Sequence, residues 1–457
     1  MLDIKDKKIA VIGLSRTGLA SVEILYKLGA DVVASDTKSA DQLSNELDKL
    51  KNIDIEYELG SHGPKCLDTD MIIVSPGVPL DIPFFKKASD KDIPIISEIE
   101  LAYHLTDANI IAITGTNGKT TTTSLISDIL KEGDIGEVKA AGNIGIPLVS
   151  EAIGLTEKDW LVVEVSSFQL ETIKDFKPDI SVYLNFTPDH LDRHKTVKNY
   201  WEAKKRIFEN QKSDDLAVVN YDDDKVMESI TYFPGKVYGV SLEREKKQGI
   251  SLKNDKLYVY ENTNRIDVLD IKDIPLLGRH NIENTAFSVM ASYLAGVSIE
   301  NIKKAVKNFK ATEHRLEIIK KENDITIIDD SKATNPDAAV KAIESFENPL
   351  ILIAGGQDRN ADFSELAKVI KNKVKTLVLL GETSFKIKEE VLNEGFPNIN
   401  IHIAEDMKEA VKKACDNVIE GDCLLLSPGS PSWDMYSSYK ERGRKFREAI
   451  NNYCHFK

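Results

Sequence analysis

Short apolar runs alternate with amphipathic stretches along the whole chain, and this pattern predicts strands followed by helices. Most of the apolar runs end in glycine, serine, aspartate or asparagine. In open parallel sheets, ligands bind outside the carboxyl ends of the strands, so these endings mark candidate sites. The predicted strands lie at residues 7–13, 30–36, 70–77, 109–115, 159–167, 179–190, 325–330, 349–356, 374–381 and 422–429. Residues 235–275 differ from the rest, because they indicate short strands and turns rather than helix.

The alternation falls into three blocks, which predict an α/β protein of three domains. A chain of 457 residues is too long for one compact core. We place the domains at residues 1–97, 98–311 and 312–457.

The net charge and the cysteine content argue against several classes of function. A net charge of −14 argues against nucleic-acid binding, which needs a basic face. No apolar run is long enough to cross a membrane. The four cysteines never form a C-x-x-C pair, so neither a zinc site nor a redox motif is predicted. We expect a cytoplasmic protein that binds neither nucleic acid nor membrane.

The stretch "TGTNGKTT" at residues 114–121 follows an apolar strand and opens a predicted helix. The usual phosphate loop, G-x-x-x-x-G-K-[ST], would need glycine at Ile113, so the glycine spacing here is shorter. The shorter spacing still allows phosphate binding, because the loop amides and the N-terminus of the following helix would face the anion. Lys119 would contact the β- and γ-phosphates and Thr120 would hold Mg²⁺. A threonine-rich helix cap, the structural alternative, leaves the lysine and both glycines unexplained, so we predict nucleoside triphosphate binding.

Residues 13–18, "GLSRTG", match the dinucleotide fingerprint G-x-G-x-x-G only in part. Ser15 replaces the middle glycine, where a pyrophosphate comes closest to the backbone, and Asp36 ends the second strand. The alternatives are an NAD-dependent dehydrogenase and a related fold that binds another nucleotide.

The motif at 114–121 resembles the ATP loop of the Mur ligases and of the related folylpolyglutamate synthases. These enzymes phosphorylate a carboxylate and present it to an amine. The resemblance extends over the whole chain and implies a Rossmann-like N-terminal domain, a central P-loop ATPase-like domain with a mainly parallel sheet, and a Rossmann-like C-terminal domain. It implies an ATP site made of Gly115, Thr116, Asn117, Gly118, Lys119, Thr120, Thr121, Asn281, Asn284, Arg315 and Asp330. For Asn281, capping of a helix that starts near it is an equal alternative.

Metal ligands and catalytic groups follow from the same resemblance. In "EVSSFQLE", Glu164 matches a magnesium ligand, and a carboxylate beside a buried strand is costly unless it is paired or metal-bound. His190 of "NFTPDHLDRH" matches the second metal site. Lys204 matches a carbamylated lysine, although without the resemblance Lys204 and Lys205 indicate a solvated helix face. The implied metal set, for two Mg²⁺ ions, is Thr120, Glu164, His190 and Lys204, and the implied catalytic set is Lys119, Glu164, His190 and Lys204.

The first block of a Mur ligase that adds D-glutamate binds the UDP of the sugar substrate. The resemblance implies a UDP-substrate site made of Ser15, Arg16, Thr17, Asp36, Thr37, Ser75, Gly77, Asn143, Ser166 and Gln169. The three domains would then bind the UDP-substrate, ATP and the amino acid in chain order.

"DSKATN" at 330–335 is similar to the family members that add D-glutamate, whereas members that add L-alanine or a diamino acid carry a histidine-containing motif there. A dicarboxylate substrate needs cations and hydroxyls. The implied D-glutamate site is Lys332, Thr334, Arg359, Ser432 and Tyr439, with Arg359 where many relatives have lysine. The expected substrates are UDP-N-acetylmuramoyl-L-alanine, D-glutamate and ATP, and we expect a monomer. A non-catalytic nucleotide-binding regulator and a folylpolyglutamate synthase are the remaining alternatives, and the 330–335 stretch argues against the latter.

Overall fold

The computed structural model describes residues 2–143, 145–245, 248–261, 264–276, 278–310, 313–346 and 348–454. The chain divides into two compact units. The first reaches Asp273 and includes Glu283–Lys307, and the second comprises Ile274–Ile282 and the chain from Asn308 onwards. The expected boundary between residues 311 and 312 lies outside the described residues.

The first unit begins with a five-stranded parallel sheet in the order β3-β2-β1-β4-β5. Its strands are β1 (Lys8–Ile12), β2 (Asp31–Asp36), β3 (Glu56–Leu59), β4 (Met71–Val74) and β5 (Ile95–Ser97). Its helices are α1 (Arg16–Lys27), α2 (Ser44–Leu50), α3 (Pro83–Ser89) and α4 (Glu98–His104), with a 3₁₀ turn at Asp41–Leu43. The strand order reverses between β1 and β4, so a crevice for a ligand opens beside residues 13–18.

A nine-stranded sheet follows in the order β14-β13-β12-β11-β10-β9-β6-β8-β7. Its strands are β6 (Asn109–Thr114), β7 (Val138–Gly142), β8 (Trp160–Glu164), β9 (Ile180–Tyr183), β10 (Leu216–Asn220), β11 (Lys236–Ser241), β12 (Gln248–Lys253), β13 (Lys256–Glu261) and β14 (Asn264–Asp270). The pairs from β7 to β12 are parallel, and β13 and β14 extend the sheet as antiparallel hairpins. Strand β6 lies between β8 and β9 and is apolar throughout its buried interior, as a strand covered on both faces must be.

The helices of this part carry most of the candidate site. They are α5 (Lys119–Glu132), α6 (Leu148–Glu151), α7 (Ser167–Leu170), α8 (Leu191–His194), α9 (Val197–Lys205), α10 (Asp224–Ser229), α11 (Arg279–Leu294) and α12 (Ile299–Asn308), with 3₁₀ turns at Arg206–Phe208 and Ile271–Asp273. Helix α11 begins at Arg279, two residues before the expected start, so Asn281 lies in its first turn.

The second unit contains a six-stranded sheet in the order β15-β16-β20-β17-β18-β19, parallel except for the edge strand β15. Its strands are β15 (Glu317–Glu322), β16 (Ile325–Asp329), β17 (Leu350–Ala354), β18 (Val374–Leu379), β19 (Ile401–Ile403) and β20 (Cys423–Leu426). Its helices are α13 (Pro336–Glu344), α14 (Ser364–Lys373), α15 (Ser384–Asn393), α16 (Met407–Cys415) and α17 (Tyr439–Tyr453), with a 3₁₀ turn at Asn398–Asn400. Alternate residues of β17 enter two separate cores, one on each face of the sheet.

The ten strands predicted from the apolar runs are all present, and residues 235–275 form strands and turns as expected. Cys415 and Cys454 form a disulfide, which the spacing of the cysteines in the sequence did not predict. The packing of α16 against α17 brings together two positions that are 39 residues apart. In the part of the chain that the structure describes, no helix is both long and apolar enough to cross a membrane.

Candidate active site

The glycine loop joins β6 to α5 at the centre of the nine-stranded sheet. Gly115 and Gly118 have φ angles of 150° and 86°, which favour glycine over residues with a side chain. The Lys119 amine donates to the backbone oxygens of Gly115 and Thr116, each at 2.8 Å. The loop therefore holds its lysine directly beside the N-terminus of a 14-residue helix, where anions bind.

Neighbouring segments brace this loop on both sides. The backbone amide of Asn117 donates to the Asn185 side chain at 2.9 Å, and Asn185 donates back to the Asn117 carbonyl at 3.1 Å. A side chain at Gly118 would collide with the amide of Asn284, which also lies 3.5 Å from the Thr122 hydroxyl. The structure thus brings Asn284 close to the loop, and Thr121 is buried.

Glu164 is the last residue of β8 and is buried, with 2% of its surface exposed. Its two carboxylate oxygens have different partners. One accepts from the Thr120 hydroxyl at 2.9 Å and the other from the Asn143 amide at 2.8 Å. A carboxylate and a hydroxyl at the end of a phosphate loop are the hard oxygen donors that Mg²⁺ prefers, so these residues fit the ion.

Lys204 is 2% exposed, so the alternative of a solvated helix face is wrong for this residue. Its amine donates to the backbone oxygen of Gly115 at 2.7 Å and lies 4.9 Å from the centroid of the Tyr200 ring. Burial, followed by the charge of Lys119, holds the pKa of Lys204 well below its ordinary value. An ammonium group would repel a divalent cation, so Lys204 fits a metal site only in an uncharged or a modified, anionic form.

His190 precedes α8 with φ of 53°, and its backbone amide donates to the Asp189 carboxylate at 2.7 Å. Its ring packs edge-on against Phe168, with 5.1 Å between centroids. Burial lowers the pKa of His190, and Asp189 opposes that shift. A neutral imidazole is the form that binds a metal.

In the first block, the strand ends form a crevice around residues 13–18. The Asp36 carboxylate accepts the backbone amide of Leu14 at 2.8 Å, and Ser75 donates to the Gly13 carbonyl at 2.7 Å. The Arg16 guanidinium donates to the backbone oxygen of Asn143 at 3.3 Å and so links this crevice to Glu164. The other predicted UDP-site residues of this block follow β1, β2 and β4 at the same sheet edge: Ser15, Thr17, Thr37 and Gly77.

Ser166 and Gln169 form a capping box at the start of α7. The Gln169 side-chain oxygen accepts from the Ser166 amide at 3.0 Å and from its hydroxyl at 2.9 Å. This structural role explains both residues without a substrate.

In the second unit, the predicted D-glutamate residues follow β16, β17 and β20, whose carboxyl ends are adjacent in the sheet. The Lys332 amine lies 5.6 Å from the centroid of the Tyr439 ring, and the Arg359 guanidinium lies 4.5 Å from that of Trp433. Ser432 is buried, and Thr334 is partly exposed. Cationic and hydroxyl side chains therefore lie around one end of this sheet.

Asp330 is buried beside these residues. It accepts the Ser427 hydroxyl at 2.8 Å and the Leu316 amide at 3.2 Å. Burial raises the pKa of Asp330 to about 7, and the neighbouring charge of Arg315 opposes the shift. Of the other predicted ATP residues, Asn281 is buried within the second unit.

Two relatives match this chain over nearly all of its length. The UDP-N-acetylmuramoylalanine–D-glutamate ligase of Clostridioides difficile (strain 630) is 43% identical over 99% of this chain and 100% of its own. That of Thermoanaerobacter sp. (strain X514) is 42% identical over 98% of this chain and 99% of its own. The chain belongs to the Mur ligase family.

Family models cover the chain in three stretches. Residues 7–97 match the Mur ligase MurD-like N-terminal domain, residues 113–292 the Mur ligase middle domain, and residues 314–429 the Mur ligase glutamate ligase domain. Among solved structures, MurF from Acinetobacter baumannii has a TM-score of 0.62 at 15% identity, covering 97% of this chain and 94% of its own. A pseudomurein peptide ligase type C from Methanothermus fervidus has a TM-score of 0.60 at 20% identity, covering 98% and 99%. These structures support the Mur ligase fold.

A polar cluster that the sequence motifs did not indicate lies next to the stretch at 330–335. Asp329 is fully buried and accepts from the His314 ring at 2.7 Å, the Arg447 guanidinium at 2.9 Å and the Ser331 amide at 3.0 Å. The available signal was the second aspartate at the strand end, directly before Asp330.

A further missed residue is His194, which is buried and contacts the Ser167 hydroxyl at 2.9 Å. Burial, followed by the neighbouring His190, lowers the pKa of His194 to about 4. His194 is the last residue of α8, and its contact with Ser167 holds this helix, which follows His190, against α7.

Glu100, His104 and Asp175 also lie close enough together to bind a metal ion. The Glu100 carboxylate already accepts the backbone amides of residues 174, 175 and 176, at 2.8, 2.7 and 3.0 Å. This group therefore anchors a loop, and its geometry is explained without an ion.

Proposed function

We propose that this protein is the ATP-dependent ligase that joins D-glutamate to UDP-N-acetylmuramoyl-L-alanine in peptidoglycan precursor synthesis. The observation that carries the proposal is the cluster of Lys119, Thr120, Glu164 and Lys204 around the glycine loop. It occurs in a chain whose full-length relatives are named for this reaction.

The domain roles follow from the matched stretches. Residues 1–97 bind the UDP-substrate, 98–311 bind ATP, and 312–457 bind the amino acid. The MurD-like, middle and glutamate ligase domain matches at 7–97, 113–292 and 314–429 support these bounds. The protein acts as a cytoplasmic monomer.

In the first step, a carboxylate oxygen of the terminal alanine attacks the γ-phosphorus of ATP. An oxygen–phosphorus bond forms, the bond to the β–γ bridging oxygen breaks, and ADP leaves. Carboxylate oxygen is a poor leaving group, and phosphorylation converts it into a good one. Lys119, held at the loop beside the helix N-terminus, offsets the charge on the transferring phosphoryl group.

Mg²⁺, when bound, polarises the phosphoryl oxygens and neutralises part of their charge. Thr120 and Glu164 would hold one ion, and His190 and a modified Lys204 would hold a second. Asn143 orients the Glu164 carboxylate by occupying its other oxygen.

Lys204 carries a carbamate in this proposal. The neutral amine adds to CO₂, a nitrogen–carbon bond forms, and one proton is released. The product is an anion with two oxygen ligands. Burial of the amine and its position 2.7 Å from the Gly115 carbonyl, beside Lys119, support this assignment.

In the second step, the deprotonated amine of D-glutamate attacks the acyl phosphate carbonyl. The attacking nitrogen gives up one proton, and the tetrahedral intermediate collapses, breaks its bond to the phosphate oxygen and expels inorganic phosphate, which leaves an amide bond. Lys332, Thr334, Arg359, Ser432 and Tyr439 bind the dicarboxylate and orient its amine.

A phosphate-release assay tests the proposal. The protein is given ATP, Mg²⁺ and UDP-N-acetylmuramoyl-L-alanine with D-glutamate, L-glutamate, L-alanine or L-lysine. We expect release with D-glutamate far above the other amino acids. ATP binding without release would indicate a regulator, and activity only with a folate acceptor and L-glutamate would indicate a folylpolyglutamate synthase. A nicotinamide-dependent absorbance change would indicate a dehydrogenase.

A further inference from the structure

Arg442 lies on the first turns of α17 and is 1% exposed. It is the bulkiest of the fully buried side chains in the described part of the chain. Neither the sequence motifs nor the proposed chemistry gives it a role.

Its guanidinium binds two loops at once. It donates to the Ser430 carbonyl at 2.9 Å, to the Ser331 carbonyl at 2.8 Å and to the Ser331 hydroxyl at 3.1 Å. That hydroxyl in turn donates to the Tyr439 carbonyl at 2.8 Å. Arg442 therefore ties the loop after β16 to the loop after β20 and to the start of α17.

Among the described residues, every hydrogen-bond acceptor of Arg442 is neutral. Burying a charge that has no carboxylate among its hydrogen-bond partners is unfavourable, and burial lowers the pKa of Arg442 to about 10, although the charge of Asp434 and of other nearby acidic groups opposes the shift. The group still remains protonated at neutral pH. A neutral side chain of similar volume would avoid this cost, so packing alone does not explain an arginine here.

The contacted atoms lie next to the proposed D-glutamate residues. Ser331 immediately precedes Lys332, and Ser430 lies two residues before Ser432. The loop of Arg359 joins the same assembly, because the Gln357 amide donates to the Pro431 carbonyl at 2.9 Å. The planar guanidinium has donors in a fixed geometry, which suits it to fix the spacing of these loops.

We propose that Arg442 is a positioning residue for the amino-acid substrate, which sets the distance between the loops that carry Lys332 and Ser432. The proposal rests on the proposed function, because it assigns D-glutamate to these loops. The geometry of the hydrogen bonds, and not the charge alone, is the essential property.

The test compares Arg442→Lys, which keeps the charge but not the planar fork, with Arg444→Lys, the same substitution at an exposed position of the same helix. The KM of each of the three substrates and kcat are measured on the full-length protein, after circular dichroism has shown that each variant is folded. We expect Arg442→Lys to raise the KM for D-glutamate roughly tenfold, the scale of losing one hydrogen bond to a charged group. The KM values for ATP and the UDP-substrate should change less than about twofold, and Arg444→Lys should match the wild type.

Ser331→Ala is a milder second variant, since it removes only the hydroxyl that links Arg442 to Tyr439. It should raise the KM for D-glutamate about threefold. If Arg442→Lys does not fold, this variant provides the test of the positioning role. If the wild type is active and the KM for D-glutamate is unchanged in Arg442→Lys, the positioning role of Arg442 is overturned while the proposed function stands. The same conclusion follows from an unchanged KM in Ser331→Ala if Arg442→Lys does not fold. An equal rise in all three KM values indicates a merely structural role and also overturns it. A folded wild type that never uses D-glutamate overturns the proposed function and this inference together.

Discussion

The side-chain amines of Lys119 and Lys204 donate to one shared acceptor, the backbone oxygen of Gly115, at 2.8 and 2.7 Å. Two ammonium groups that contact the same oxygen atom repel each other, and Lys204 is the more deeply buried of the two lysines. Its burial first, and the Lys119 charge second, favour the neutral amine. A carbamate on Lys204 would replace this repulsion with attraction to Lys119.

Replacing Lys204 by alanine should reduce kcat by roughly 10²–10³-fold, because a preorganised charged group is lost from the phosphoryl-transfer site. A short carboxylic acid such as acetate should restore part of the activity by supplying the missing oxygen ligands. Lys205→Ala is the matched control, since Lys205 is the next residue on α9 and packs its amine over Trp201. Phosphate release measures all three. A Lys204→Ala variant with more than half of the wild-type rate would contradict the carbamate.

Lys119→Ala should lower kcat by roughly 10²–10³-fold while the melting temperature stays close to that of the wild type. The amine donates to two carbonyls of the loop, so we expect its removal to affect the transferring phosphoryl group more than folding. Lys131→Ala, at the other end of α5, serves as the control. Near-normal turnover in folded Lys119→Ala would refute the assignment of the loop to ATP.

Arg359→Lys should raise the KM for D-glutamate about two- to fivefold, the value of an exposed cation–π contact. The Arg359 guanidinium lies over the Trp433 ring, and a lysine cannot reproduce this stacking. Trp433→Ala should have an effect of the same size, and the double variant should be no worse than either single variant. Additive effects in this double-mutant cycle would show that Trp433 does not orient Arg359.

Glu98 predicts a pH dependence of stability. It is fully buried, and desolvation raises its pKa from 4.5 to about 7, although the amides of Val149 and Leu148 oppose the shift. The folded state therefore keeps a proton that the unfolded state has lost between these values. Stability should fall as pH rises through this window, by at most about 3 kcal/mol from this group.

Glu98→Gln should remove that slope, so the variant should match the wild type at pH 5 and exceed its stability at pH 8 by about 1–3 kcal/mol. Urea unfolding at the two pH values measures the difference. Glu202→Gln, at an exposed position, is the control. If Glu98→Gln and wild type lost stability in parallel between pH 5 and 8, Glu98 would not be the group responsible.

The sequence by itself determined ten of the strands and the phosphate loop. Each of these ten strands contains a run of about four to six mainly apolar residues bounded by turn residues, and this pattern is local. The loop is also local, since its glycines, Lys119 and Thr120 are consecutive and need only the strand before them and the helix after them. The resemblance to a known family then assigned residues that lie far apart in the chain to common binding sites.

Only the tertiary structure decided which polar side chains are buried and what they contact. Lys204 lies on a helix whose sequence is compatible with a solvated face, and its burial depends on Gly115, 89 residues earlier. Arg442 contacts Ser331 across 111 positions, and no sequence motif assigned it a role. Such contacts depend on how the strands and helices pack against one another. Residues so far apart in the chain show no periodic pattern that would predict their burial or their hydrogen-bond partners.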